Sequence, residues 1–178
     1  MNLGMVGSLL VCVWLAVCAV CDLKSRTVPA WLTLPGLFIA LLSKEASGEL
    51  ALVAFVGLVF VLSDLPLILR GLVCLLLSAL FVLALLTTAD IVSAELSMLA
   101  ILSIWLCWKF NILGGADAQV LATLILLCGP EILITVALMN AIQGLVWIVM
   151  KRKTIPAMLS ILAGACVFFA AQALQTTF

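Results

Sequence analysis

Residues 3 to 21, LGMVGSLLVCVWLAVCAVC, run nineteen positions without a charge and end on Asp22, with Lys24 and Arg26 close behind. An α-helix needs about 20 mostly apolar residues to cross the hydrocarbon core of a bilayer. This stretch reads as a membrane span. No charged segment precedes it and further apolar runs follow Asp22 at once, so it reads as a helix of the working protein and not as a secretory leader.

The pattern continues outward through charge-free runs at 30–43, 50–63, 71–89, 96–108, 118–130, 132–150 and 154–178. The runs of 13 and 14 residues must borrow flanking positions, tilt, or lie against their neighbours. Six to eight helices are therefore expected, in an all-α, polytopic transmembrane bundle. Transmembrane β-strands alternate polar and apolar residues, and runs such as Leu75-Leu-Leu77 and Leu124-Ile-Leu-Leu127 do not. With 67% apolar and 9% charged residues, the chain is far from the composition of a soluble domain. No linker or repeat divides it, so residues 1–178 are expected to form one integral-membrane domain. Eight basic and eight acidic residues cancel, and no basic arm invites nucleic acid.

Absences narrow the chemistry. The chain has no histidine, which excludes Ser-His and Cys-His hydrolases, HExxH zinc proteases and imidazole proton relays. Seven cysteines, at 12, 18, 21, 74, 107, 128 and 166, are scattered through apolar runs and read as small buried hydrophobes. The pair Cys18-Ala-Val-Cys21 has no second CxxC to complete a four-sulfur site, so no metal is expected.

Lys and Arg concentrate on the cytoplasmic side of membrane proteins, most reliably in short loops. Placing the N-terminus outside puts Lys24, Arg26, Arg70, Lys109 and Lys151 to Lys153 inside, seven of the eight cations, with only Lys44 outside. The outer connections then hold Glu45, Glu49, Asp90, Glu95 and Glu131.

Asp22, Asp64, Asp117 and Glu131 are the carboxylates whose placement invites a role. Asp22 and Asp117 stand out because both abut an apolar run on the cytoplasmic side, where an ionised Asp within the membrane costs about 2.5–3.5 kcal/mol on insertion scales. Brought together, they would share a proton, as in an aspartyl protease: one takes a proton from water while the other, protonated, holds the scissile carbonyl. Ordinary roles are also open. Asp22 could cap the next helix or pair with Lys24 or Arg26, and Asp117 could N-cap its own. Gly114 and Gly115, ahead of Asp117, permit close backbone approach by an extended peptide. Pro29 fixes an extended-to-helix transition, and Lys24 and Arg26 fall beside the headgroups.

In this order the segments resemble those of the type IV prepilin peptidase family, the GxGD aspartyl proteases that include archaeal preflagellin peptidases. Asp22-x-x-x-Arg26-x-Val28-Pro29 is similar to the family's D-x-x-x-R-x-I-P, Gly114-Gly-Ala-Asp117 to its GxGD, and Lys153-Thr-Ile155-Pro156 to the segment before its final helix. The resemblance implies that Asp22 and Asp117 are the catalytic pair and that Gly114, Gly115, Arg26 and Pro29 bind substrate or shape the site. It also implies an enzyme of the cytoplasmic membrane that needs no cofactor and cuts the short leader of prepilin-like proteins. The chain lacks the cytosolic insertion with two CxxC pairs found in bifunctional members, so it resembles the peptidase-only forms of Tad/Flp pili and archaeal filaments. It departs from the pattern at Ala30, Ala116 and Gln119.

Two other readings compete. A small transporter or proton channel would also use membrane carboxylates, although at the bilayer centre, whereas these fall at run ends. A catalytically inactive membrane protein of pilus assembly would keep the bundle without the chemistry. Among the other conspicuous residues, Trp14, Trp31, Trp105, Trp108 and Trp147 read as interfacial anchors. Asn140, Gln143 and Gly144 share a helix face suited to interhelical hydrogen bonds and close packing, and Glu131 reads as an outer-turn residue.

The charge asymmetry predicts that residues 43–49 lie outside the cytoplasm and that 22–29, 109–117 and 151–154 lie within it. Topology reporters fused after Ser47 and after Thr154 should give opposite signals; matching signals would overturn this parity.

Overall fold

The computed structural model describes residues 4–46, 56, 91–150 and 156–175. Six helices account for nearly all of them: α1 (Met5–Ser25), α2 (Ala30–Ala46), α3 (Ile91–Lys109), α4 (Gly115–Cys128), α5 (Ile132–Val149) and α6 (Ala157–Gln175). No strand occurs among the described residues, and the architecture is all-α as the apolar runs required. Apart from Val56, the runs expected at 50–63 and 71–89, with Asp64, Arg70 and Asp90, and the segment Lys151 to Ile155 lie outside the described residues. By length and composition α1 and α6 are fit to cross a membrane, and α2 to α5 contain shorter apolar stretches.

The first helix runs four residues past its charge-free stretch, because nothing in Asp22-Leu-Lys-Ser25 opposes helix. It stops where Arg26 turns left-handed (φ 57°) and returns its N–H to the Asp22 carbonyl at 2.9 Å, satisfying one of the orphan carbonyls of a helix C-terminus. The Ser25 hydroxyl bonds the carbonyls of Cys21 and Thr27, both at 2.8 Å, which fixes the exit direction. At the far end of α4, Gly129 takes φ 94°, a region that favours glycine, and the chain turns through Pro130 into α5.

Burial follows the order of packing. Only the stripe Val11, Leu15, Cys18 and Ala19 of α1 is buried, while Leu9, Leu10, Val13, Val17 and Val20 are exposed. A helix apolar on its outward face as well suits a hydrocarbon solvent. By contrast, Ala118 and every residue from Val120 to Leu126 of α4 are buried. This helix is the hub, in contact with α2, α3, α5 and α6, and among the described helices α1 packs chiefly on α6.

Polar bonds pin these apolar surfaces in register. Trp14 Nε1 donates to the Leu32 carbonyl at 2.9 Å, and its ring lies on Gly36, where an added Cβ would come within 2.6 Å of the indole. Thus Trp14 is an interhelical clamp and not the interfacial anchor expected from the tryptophan pattern. Asn140 and Gln143 do bond between helices as expected, Asn140 Oδ1 accepting from Ser160 Oγ at 3.3 Å and Gln143 Nε2 donating to the Pro156 carbonyl at 3.0 Å. Gly144 corrects its expectation, since an added Cβ there would meet nothing within 4 Å. Close packing belongs to Gly164, where a Cβ would fall 2.5 Å from Val136 Cα. The cysteines also divide: Cys18 is buried as expected, whereas Cys166 is exposed, its thiol 3.8 Å from that of Cys12.

These two glycines give opposite expectations for the α5–α6 contact. Gly164→Ala should destabilise by about 1–3 kcal/mol through overpacking against backbone that cannot yield. Gly144→Ala should be neutral or stabilise by about 0.5–1 kcal/mol through helix propensity. Thermal unfolding of both variants in detergent checks the contrast.

Candidate active site

The two expected acids come together at one end of the bundle. Asp22 occupies the last turn of α1 and Asp117 the first turn of α4. Both are half-buried, and the charge of Asp22 is felt at the Asp117 carboxyl. Each is held by backbone amides at the start of a helix, by two different arrangements.

In α4 the N-cap is Gly114, extended at φ −68° and ψ 148°, so Asp117 is the third helical residue and not the cap expected of an ordinary structural Asp. Its carboxylate folds back to accept the Gly114 N–H, the reach-back half of a capping box. Glycine is needed here for space and not for its dihedrals, because a Cβ on Gly114 would sit 2.9 Å from Asp117 Oδ2. Gly115 has a different function: the Trp108 indole lies against it, with Nε1 3.1 Å from where a Cβ would be. Lys109 Nζ in turn stands 5.1 Å from the Trp108 ring centre and 5.8 Å from that of Trp105, cation–π range for both. The glycine pair thus seats one carboxylate and one indole.

Asp22 neither caps α2 nor needs Lys24 or Arg26 for its contact. Its Oδ2 accepts the backbone N–H of Met158 at 3.3 Å, in the first turn of α6. The amide is one of the unpaired donors of a helix N-terminus, and a carboxylate there is favoured by the helix dipole. Neither Arg26 nor Pro29 bonds to either carboxylate among the described hydrogen bonds; Arg26 meets Asp22 only through the main chain, its N–H on the Asp22 carbonyl. Arg26 ends α1 in the left-handed conformation, and the Pro29 carbonyl accepts Leu32 N–H at 2.9 Å to start α2. Their contribution is to shape the connection beside Asp22.

Met158 and Thr33 are contacts that the sequence did not disclose. Thr33, fully buried, donates from Oγ1 to Gln119 Oε1 at 2.5 Å, tying α2 to α4 two residues beyond Asp117. Gln119 thereby has a structural partner at the position where the chain departs from the family pattern. A buried threonine in an apolar helix is a legible signal; its distant partner is not. Met158 acts through its main chain, which no side-chain pattern announces.

Two carboxylates, each anchored on a helix's free amides at the same end of a helical bundle, define an apolar helical protein with a paired-acid site. The sequence profile of the type IV leader peptidase family matches residues 9–149, and this chain belongs to that family, which makes it a protease. Comparison with curated proteins and with solved structures finds no match. The matched region includes both aspartates with their motifs, so the resemblance seen in those segments holds.

Gly114→Ala tests the seat of Asp117. Its dihedrals suit alanine, so helix content should be unchanged, but the carboxylate must move off its amide. On the reading of Asp117 as a working acid, cleavage of a pilin-like precursor should fall at least about tenfold, the scale of a small misplacement at the chemistry. Circular dichroism beside a cleavage assay separates the two effects.

Proposed function

We propose that this protein is an aspartic endopeptidase that removes the short leader of prepilin-like proteins at the cytoplasmic face of the cell membrane, with Asp22 and Asp117 as its catalytic pair. The observation that carries the reading is the meeting of these two acids at one end of the bundle, within electrostatic reach of each other. Neighbouring carboxylates resist joint ionisation and titrate as a unit, which gives one base and one acid from identical groups.

In the reaction that follows, the ionised member removes a proton from water as the oxygen attacks the scissile carbonyl. The protonated member donates a hydrogen bond to the carbonyl oxygen and stabilises the tetrahedral intermediate. Collapse breaks the C–N bond, and the proton first taken from water goes to the departing amine. No histidine is required, consistent with a chain that has none.

The family supports a leader peptide as substrate. The charge asymmetry supports a site facing the cytoplasm, where the basic leader of such a precursor resides. The lack of an internal segment with paired CxxC motifs supports peptidase activity without methyl transfer, in a single multi-pass domain surrounded by lipid. Arg26 and Lys24 fit headgroup or intramolecular contacts better than contacts with a basic leader, which they would repel.

Asp22→Asn and Asp117→Asn should each abolish cleavage of a co-expressed prepilin while leaving the protein in the membrane. The double variant should be no worse than either single one, since the pair acts as a unit. If the acids were only caps, each Asn would retain most of a contribution of about 1 kcal/mol and leave activity nearly intact. Substantial turnover by either purified single variant overturns the paired mechanism.

A further inference from the structure

The start of α6 is held from two sides. From α1, the Asp22 carboxylate receives the Met158 N–H at 3.3 Å; from α5, Gln143 Nε2 donates to the Pro156 carbonyl at 3.0 Å. Pro156 immediately precedes Ala157, the first residue of α6, so Met158 is the second helical residue. Its amide has no acceptor within the helix, and its direction is set by how the first turn is seated.

Gln143 is an expensive way to fill space. Its side chain is 8% exposed, and Oε1 has no hydrogen-bond partner among the described residues. An unpaired buried amide oxygen is destabilising, and an apolar side chain of the same length would avoid that cost. The half of the amide that is used is the donor, and it is spent on the carbonyl that begins the helix binding Asp22.

We propose that Gln143 is a positioning residue for the acid pair: by holding the Pro156 carbonyl it seats the first turn of α6, so that the Met158 N–H is aimed at Asp22. Its catalytic consequence rests on the reading of Asp22 as one of the two working acids. Gln143 touches neither acid. It acts through two residues of backbone, and α5 thereby gains a hand in the site without contributing an acid or base, since Ile132–Val149 contains neither.

Amide exchange at Met158, followed by NMR on the full chain in nanodiscs, reads this directly. Gln143→Met keeps length and volume but removes the donor. It should speed Met158 exchange at least about tenfold, approaching the rate in Asp22→Ala, while amides deeper in α6 keep their protection. In a cleavage assay, kcat should fall with KM unchanged. Thr135→Ala, which removes a hydroxyl bond within α5 and leaves the Pro156 link, should behave as wild type. Should Gln143→Met fail to insert, Gln143→Asn, too short to reach Pro156, serves for the same comparison. Met158 exchange within about twofold of wild type overturns the proposal, as does uniform acceleration along α6, the mark of a merely structural residue. An Asp22→Asn enzyme that still cleaves would instead strike the paired mechanism and leave the exchange result standing.

Discussion

The burial of α4 is the constraint on which the rest of the molecule depends. A helix with Ala118 and Val120 to Leu126 all buried must have neighbours on every side, and α2, α3, α5 and α6 supply them. Asp117 stands in the first turn of that helix, where encirclement is almost complete but free amides remain. The same geometry that makes a carboxylate costly there provides the Gly114 N–H that makes it tolerable. Asp22 meets a similar condition from the opposite polarity, at the end of its own helix and at the beginning of α6.

Much of this was legible in the chain. Charge-free runs located the helices because a bilayer permits few charges, and the cost of a charge made Asp22 and Asp117 conspicuous. The glycines ahead of Asp117 signalled a close approach, which is now seen as space for a carboxylate at Gly114 and an indole at Gly115. Helix ends were less legible. Residues 22–25 have no property that stops a helix, so α1 passes beyond its apolar run, and α4 ends at Cys128 because Gly129 adopts a positive φ before Pro130 can contribute.

What stayed hidden depended on packing between distant segments. Trp14 sits within an apolar run like any lipid-facing residue, and only the neighbouring Leu32 carbonyl and Gly36 make it a clamp. Gly144 and Gly164 are equivalent as sequence, yet one faces open space and the other the backbone of Val136. Thr33 with Gln119, and Met158 with Asp22, join residues 86 and 136 positions apart, beyond the reach of any local pattern.

That last separation has a consequence for biosynthesis. Asp22 leaves the ribosome 136 residues before the amide that receives it, and among the described helices α1 packs chiefly on α6. The first acid must therefore wait, without its helix partner, until α6 has been made. Until α6 has been made and packed, Asp22 and Asp117 are both present in the chain but the amide that seats the first of them is not, so the two-acid arrangement is completed late in synthesis.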